Sequence, residues 1–195
     1  MKICLIRHGE TDWNVIGRLQ GREDIPLNAN GLLQAEQCGL ALKNQKWDAV
    51  ITSPLKRAKQ TADIIAGVLD IAEVVVDEDL VERDYGKAGG LLPEERKVLF
   101  PDGKYEGYEP CELLRERMKR AVKRGTGRFT PGNVIMVSHG GAINRLLADV
   151  SDGEIGKGKT RLKNACINMF TVQDERLELV YYNKTADELT EGENG

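Results

Sequence analysis

Histidine and cysteine are scarce in this chain, and neither occurs in a metal-binding pattern. The 195 residues include two histidines and four cysteines, and the cysteines are scattered without a Cys-x-x-Cys pair. Zinc sites need a closer set of soft ligands, and disulfide-stabilised secreted domains are smaller and richer in cysteine. We therefore expect no metal, and four reduced thiols that are mostly buried.

Long apolar segments and an excess of positive charge are missing as well. No stretch approaches the roughly 18 apolar residues that cross a membrane, and Met1-Lys2 leads directly into a short apolar run rather than a secretory signal. The net charge of −3 disfavours a general nucleic-acid-binding surface. These absences predict a soluble, cytoplasmic protein with no membrane or nucleic-acid partner, in which basic residues that bind an anion act locally.

Strand and helix patterns alternate along the chain as in βα units. Strands are predicted at 2–6, 48–52, 74–76 and 133–137, and helices at 31–43, 53–69, 109 or 111 to 124, and 142–150. A hairpin at 165–173 and 176–182 is expected at one sheet edge, and the tail after Lys184 is expected to fray. This order predicts one α/β domain over 1–195: a three-layer α/β/α sandwich with a mostly parallel sheet and an antiparallel edge.

The stretch 77–110 is the least regular part of the chain. It is rich in glycine, proline and charge, and it contains a short helical pattern at 93–100. We expect it to form a small lid insertion. The charges at 112–124 are expected on a solvated helix face, and Trp13 and Trp47 are expected to be packing residues.

Both histidines occur in the same local setting: an apolar run, a polar residue, His and then Gly. His8 ends such a run in the first predicted strand, and His139 does so in the fourth. Ligands of open α/β sheets bind just beyond the carboxyl ends of the strands. The pattern therefore predicts one site with a histidine nucleophile and a charged helper, although a lone histidine is more often structural.

Two arginines lie where they could serve this same site. Arg7 precedes His8, and Arg57 lies near the start of the helix after the second strand, where the helix dipole favours an anion. Arginine is the best bidentate partner for phosphate. A solvated helix arginine is the alternative for Arg57. Two arginines and two imidazoles around one point favour a dianionic phosphate, since a neutral imidazole can attack phosphorus while cations stabilise the developing charge.

Five separated blocks of sequence carry a further signal. They read LIRHGETDWN at 5–14, GRLQGREDIPLN at 17–28, TSPLKRA at 52–58, LVERDYG at 80–86 and VSHGG at 137–141. In this order they resemble the histidine phosphatase superfamily, in its phosphoglycerate-mutase-like branch, and the resemblance covers nearly the whole chain.

The resemblance implies specific roles for residues of this chain. His8 matches the nucleophile that becomes a phosphohistidine, and Glu82 matches the general acid and base. The positions around the transferred phosphoryl group are Arg7, Arg57, His139, Asn14 and the backbone of Gly140, and those that contact the rest of the substrate are Gln20, Gly21 and Tyr85. Glu82 itself stands in an acidic run where exposure would be the default, so its role depends on the resemblance.

The resemblance implies a phosphatase that hydrolyses small phosphomonoesters without a cofactor, with a small phosphorylated metabolite as its partner. A cofactor-dependent phosphoglycerate mutase is the alternative, and a catalytically weak regulatory or binding member ranks below both. The chain is compact where such mutases tend to be longer, and residues 86–90 depart from the Trp-Glu-Gly sequence common in the phosphatases. Positive charge near the lid suits a phosphorylated carboxylate; it comes from Lys87, Arg96, Lys97 and Lys104. The oligomeric state is left open.

Overall fold

A computed structural model describes residues 1–156, 159–174 and 176–190. The strands are β1 (Lys2–Arg7), β2 (Ala49–Thr52), β3 (Val74–Val76), β4 (Val134–Ser138), β5 (Ile167–Gln173) and β6 (Arg176–Lys184). The α-helices are α1 (Asp12–Val15), α2 (Ala29–Ala41), α3 (Lys56–Leu69), α4 (Pro93–Leu99), α5 (Cys111–Phe129), α6 (Gly140–Val150) and α7 (Ala186–Thr190), with 3₁₀ turns at Glu78–Leu80 and Gly86–Ala88. No helix within these ranges is long and apolar enough to cross a membrane.

The strands form a single six-stranded sheet in the order β3-β2-β4-β1-β5-β6. Strands β1 to β4 pair in parallel, whereas β5 and β6 pair antiparallel at one edge. Side chains alternate along β1, so that Leu5 packs toward α5 and α6 while Ile6 packs toward α2 and α3. The predicted α/β/α sandwich with an antiparallel edge is confirmed.

Strand register brings three chain segments to one edge of the sheet. Arg7, at the end of β1, pairs with Ser138 at the end of β4, and Thr52 of β2 pairs with Val137. The residues that follow β1, β2 and β4 therefore share the carboxyl edge of the sheet, where α/β proteins bind ligands.

Two helices, α5 and α1, differ from the sequence prediction. The predicted end of α5 at 124 was wrong, because the helix runs to Phe129. Gly125 lies within it and packs directly against Met136 and Ile51; a Cβ there would come within 2.3 Å of the Met136 methyl carbon. The glycine therefore serves close packing and does not end the helix. The short α1 was missed, although Thr11 caps it by accepting a hydrogen bond from the Asn14 amide at 3.2 Å.

The chain end also differs from the prediction. The tail after Lys184 was expected to fray, but residues Ala186–Thr190 form α7, with Ala186 buried and Leu189 packed against the cluster that contains Ile6. The Glu188 carboxylate accepts hydrogen bonds from the Thr185 amide at 2.8 Å and from Lys163 at 2.7 Å. Packing and capping thus order this acidic segment. Residues 191–195, and Glu175 of the predicted hairpin turn, lie outside the described residues.

Candidate active site

The two histidines meet at the carboxyl edge of the sheet, as their matched settings predict. His8 directly follows β1, and its amide donates to the Ser138 carbonyl at 3.0 Å. His139 is the residue before α6. Their ring centroids are 5.2 Å apart, and the two residues are 2% and 0% exposed. The fold therefore forms a buried histidine pair from two distant parts of the chain.

His8 is held as a neutral imidazole whose lone pair lies on one defined nitrogen. Its Nδ1 lies 2.6 Å from the Gly9 carbonyl oxygen, which can only accept, so the proton is assigned to Nδ1 and the lone pair to Nε2. Burial and then the neighbouring charges of Arg57 and Arg7 hold the pKa of His8 well below its ordinary value. Nε2 is therefore unprotonated at neutral pH.

Arg57 is a fully buried cation beside His8, and not the solvated helix residue that its lysine neighbours suggest. Its guanidinium donates to the Glu23 carbonyl at 2.6 Å and to the Gly21 carbonyl at 2.8 Å. Its Nε donates to His8 Nε2 at 3.2 Å. Burial lowers the pKa of Arg57 to about 10, which leaves it charged at neutral pH.

Arg7 brings a second buried cation with free donor capacity. One terminal nitrogen donates to the Leu162 carbonyl at 2.5 Å. Its buried Nε has no partner among the residues that the structure describes. Burial lowers the pKa of Arg7 from its ordinary value. An unpaired buried guanidinium N–H is costly, and an anion bound in the pocket that Arg7 lines could satisfy it.

His139 does not fit the expected charged helper in the ligand-free site. Its Nε2 lies 2.7 Å from the Ser53 hydroxyl, and its Nδ1 is buried without a partner within the described part of the chain. Burial, followed by the charge of Arg57, holds the pKa of His139 well below its ordinary value. The ring is therefore neutral here, because the arginines already supply positive charge.

Glu82 leaves its acidic run and reaches the same pocket. Its carboxylate accepts hydrogen bonds from three backbone amides: Arg83 at 2.7 Å, Gly141 at 2.9 Å and Ala142 at 3.0 Å. The last two belong to the first turn of α6, where the helix dipole favours a negative charge. Gly141 permits this contact, since a Cβ there would lie 2.7 Å from both Glu82 Oε1 and the Tyr85 hydroxyl.

A pocket of about 360 Å³ connects these groups. His139 packs against His8 and does not line the pocket. The other residues singled out from the sequence do line it: Arg7, His8, Asn14, Gln20, Gly21, Arg57, Glu82, Tyr85 and Gly140. The Asn14 side-chain oxygen accepts from the Asn164 amide at 3.0 Å, which leaves the Asn14 NH₂ group to face a ligand. Burial raises the pKa of Tyr85, so its hydroxyl stays protonated.

Sequence reasoning missed part of the pocket wall. Arg18, Asn144, Thr160, Arg161 and Leu162 line it, and so does Trp13, which was expected only to pack. Of the four residues expected to add positive charge near the lid, Arg96 lines the pocket, whereas Lys87 and Lys97 pair with Glu106 and Glu94 outside it. Arg18 could have been found from its place in the 17–28 block. Arg161 does not follow a parallel strand, so no sequence pattern marks it as a site residue.

Arg117 anchors the segment that carries Glu82, and the solvated-face prediction was wrong for it. The residue is 6% exposed. Its guanidinium donates to the backbone carbonyls of Asp79 at 2.7 Å, Val81 at 2.6 Å and Glu82 at 3.1 Å. It also forms a two-point ion pair with Glu109, at 2.7 and 2.9 Å. One buried cation thus fixes both ends of the insertion.

Arg117→Met is expected to lower the free energy of unfolding by about 3–5 kcal/mol, because it breaks a buried two-point ion pair with Glu109 and removes the arginine donor from three backbone carbonyls. Arg120→Met, three residues along α5, is the control. Arg120 pairs with Asp79 at 2.9 Å on a side chain that is 58% exposed, and its loss is expected to cost about 1 kcal/mol or less. Urea unfolding of both variants measures this, and equal losses would contradict the anchoring role.

The two neutral histidines predict an acid-sensitive fold. Both pKa values are lowered by burial in the folded state, so the unfolded chain takes up protons below about pH 6.5 that the folded chain does not. Stability is then lost as the pH falls. Between pH 7.5 and 5.5 we expect a loss of about 3 kcal/mol in the free energy of unfolding, roughly half from each histidine. Urea titrations at both pH values test this. His139→Asn should halve this pH-dependent loss of stability. A native chain whose free energy of unfolding is the same at both pH values would contradict the prediction.

Over residues 1–156, 159–174 and 176–190, no group of three or more His, Cys, Asp or Glu side chains could hold a metal ion. The four cysteines are free, and three of them are buried.

Comparison with known proteins gives a consistent result. Residues 3–185 match the model of the histidine phosphatase superfamily (branch 1). The chain is 42% identical over 181 residues to the uncharacterized phosphatase PhoE of Bacillus subtilis (strain 168), covering 93% of each chain. It is 34% identical over 186 residues to the probable phosphoglycerate mutase GpmB of Proteus mirabilis (strain HI4320), covering 89% of this chain and 86% of the relative.

A solved structure agrees. The crystal structure of a phosphoserine phosphatase from Entamoeba histolytica, in complex with 3-phosphoglyceric acid, matches with a TM-score of 0.82 and 29% identity over 96% of this chain and 98% of that one. The fold and these relatives define an enzyme of the phosphatase class. The chain belongs to the histidine phosphatase superfamily, and the prediction made from its five sequence blocks is confirmed.

Proposed function

We propose that this protein hydrolyses small phosphomonoesters through a phosphohistidine on His8. The observation that carries the proposal is the placement of a neutral His8 Nε2 between two buried arginines, in a pocket that also holds the Glu82 carboxylate. This set supplies a nucleophile, cations for the phosphate oxygens and a group that transfers protons.

In the first step, the Nε2 lone pair attacks phosphorus in line with the ester oxygen. The P–O bond to the leaving group breaks as the N–P bond forms, and the protonated Glu82 carboxyl gives its proton to the leaving oxygen. Arg57 Nε, which donates to His8 Nε2 in the free site, turns to a phosphate oxygen together with the unpaired Arg7 Nε.

In the second step, water attacks the phosphohistidine. Glu82, now ionised, takes a proton from the water, the N–P bond breaks, and inorganic phosphate leaves with His8 neutral again. Asn14 and the Gly140 backbone hold the phosphoryl oxygens, and neutral His139 packs against the His8 ring. Gln20, Gly21 and Tyr85 contact the rest of the substrate. No step uses a metal ion, and we propose that activity is unaffected by chelators.

A phosphoglycerate mutase is the second candidate. The observation in its favour is the strongly cationic pocket, lined by five arginines, which suits ligands with more than one anionic group. A mutase shares the phosphohistidine but returns the phosphoryl group to an alcohol before water reaches it. A catalytically weak binding protein ranks third, because all the matched catalytic positions are present.

Incubation with 3-phosphoglycerate, with and without catalytic 2,3-bisphosphoglycerate, separates the first two candidates. We expect release of inorganic phosphate without formation of 2-phosphoglycerate. Isomer formation stimulated by the bisphosphate would establish the mutase instead. Absence of turnover on a broad panel of phosphate esters, by protein shown to be folded, would support the binding role.

We further propose that residues 1–195 act as one domain, with 77–110 as a lid over the pocket. Tyr85 and Arg96 of that segment line the pocket. A cytoplasmic location is also proposed, and the four free cysteines suit a reducing compartment.

A further inference from the structure

The pocket holds more positive charge than one phosphate needs. Arginines 7, 18, 57, 96 and 161 line it together with a single carboxylate, Glu82. Within the described ranges, none of these five forms a salt bridge, whereas six arginines elsewhere do: Arg22, Arg115, Arg117, Arg120, Arg124 and Arg128. A phosphate dianion beside Arg7 and Arg57 balances only part of this charge.

Two of the five arginines are held by consecutive backbone carbonyls of the segment 77–110. Arg18 donates to the Gly90 carbonyl at 2.8 Å, and Arg96 donates to the carbonyl of the next residue, Leu91, at 2.9 Å. Each uses one terminal nitrogen, so other guanidinium donors of both remain for a ligand. Neighbouring like charges repel unless an anion lies between them.

The backbone around these carbonyls is itself well tied. Gly90 and Leu91 exchange hydrogen bonds with Leu19: the Gly90 amide donates to the Leu19 carbonyl at 2.7 Å, and the Leu19 amide donates to the Leu91 carbonyl at 3.0 Å. The Arg18 guanidinium also lies 5.3 Å from the centroid of the Trp13 ring, a cation–π distance. The two arginines are therefore positioned before any ligand arrives, which reduces the entropy lost on binding.

We propose that Arg18 and Arg96 form a second anion subsite, and that the substrate carries a second anionic group besides the phosphoryl group that is transferred. This rests on the proposed function at His8. The class of substrate is a small phosphorylated acid or a bisphosphate, whose carboxylate or second phosphate pairs with the two guanidinium groups.

Matched substrates test the subsite. The ratio of kcat/KM for 3-phosphoglycerate to that for glycerol 3-phosphate, which lacks the carboxylate, measures recognition of a carboxylate. The ratio for fructose 1,6-bisphosphate to fructose 6-phosphate measures recognition of a second phosphate. We expect the native enzyme to prefer the substrate with the extra anion by roughly tenfold or more in at least one pair, and the pair with the larger ratio identifies the group.

Arg96→Gln is expected to remove this preference, with kcat/KM falling roughly tenfold or more for the favoured substrate and by a much smaller factor for its partner. Lys97→Gln is the matched control: it removes a charge from the next residue of α4, which pairs with Glu94 outside the pocket, and the preference should persist. An equal effect of the two variants, or an equal loss on both substrates of a pair, would overturn the subsite.

Failure of the subsite and failure of the proposed function give different results. Hydrolysis of 4-nitrophenyl phosphate without any preference in either pair would reject only the subsite. If the native protein releases phosphate from no substrate, the proposed function fails. In that case, calorimetry tests the subsite by comparing affinities. The native protein should bind 3-phosphoglycerate more tightly than glycerol 3-phosphate, and Arg96→Gln should remove this difference; equal affinities in the native protein would reject the subsite.

Discussion

His8→Ala is expected to lose on the order of 10⁴-fold or more in kcat on every phosphate ester, because the substitution removes the group that attacks phosphorus. Water could attack the bound ester directly, but it lacks the fixed geometry of Nε2, which the hydrogen bond from Nδ1 to the Gly9 carbonyl orients. Steady-state release of inorganic phosphate measures the loss.

The control for this variant is its ability to bind an anion. Arg7 and Arg57 do not depend on His8 for their anchoring bonds to the carbonyls of Leu162, Glu23 and Gly21. Inorganic phosphate should therefore still raise the melting temperature of the His8→Ala protein. Activity within about tenfold of the native enzyme, in protein that passes this control, would rule out His8 as the nucleophile.

Glu82→Gln is expected to slow hydrolysis according to the leaving group. An alkyl phosphate such as glycerol 3-phosphate needs a proton on its departing oxygen, so its kcat should fall roughly a hundredfold or more. The 4-nitrophenolate of 4-nitrophenyl phosphate leaves without protonation, so the loss in kcat on that substrate should be roughly tenfold smaller. The side-chain NH₂ group that Glu82→Gln introduces cannot accept hydrogen bonds from the α6 amides as the carboxylate does, so the side chain could shift in this variant. Such a shift would slow both substrates equally. The ratio of the two losses in kcat therefore reports proton transfer alone.

Glu78→Gln is the matched control for Glu82. Glu78 belongs to the same acidic run but is exposed and does not line the active-site pocket. It should leave both rates unchanged. An equal loss on the alkyl and aryl substrates of Glu82→Gln would show that the carboxylate acts by position or charge and not as a proton donor.

The part of the site that follows local rules could be read from the sequence. An apolar run that ends in a polar residue, His and Gly describes a buried parallel strand and its turn, and register then brings His8 and His139 together. Secondary structure at the sheet was predictable for the same reason, since strand and helix periodicities are local properties.

The rest depends on contacts between distant segments, which a single sequence does not display. Glu82 lies in a run where exposure is the default, but the α6 amides donate to its carboxylate and the Arg117 guanidinium donates to its backbone carbonyl, which holds it inward. Arg117 itself sits in a helix so rich in charge that no pattern marks the one buried cation. Arg57 became a site residue because two carbonyls, at Gly21 and Glu23, accept from it.

Capture of the covalent intermediate tests the central claim most directly. The native enzyme is mixed with ³²P-labelled substrate, quenched within milliseconds under alkaline denaturing conditions, and the labelled peptide is mapped. We predict label on the peptide that contains His8, stable in alkali and lost in acid as a phosphoramidate should be, and absent from His8→Ala. Label on a serine, or steady turnover with no labelled protein at any time, would contradict a phosphohistidine mechanism.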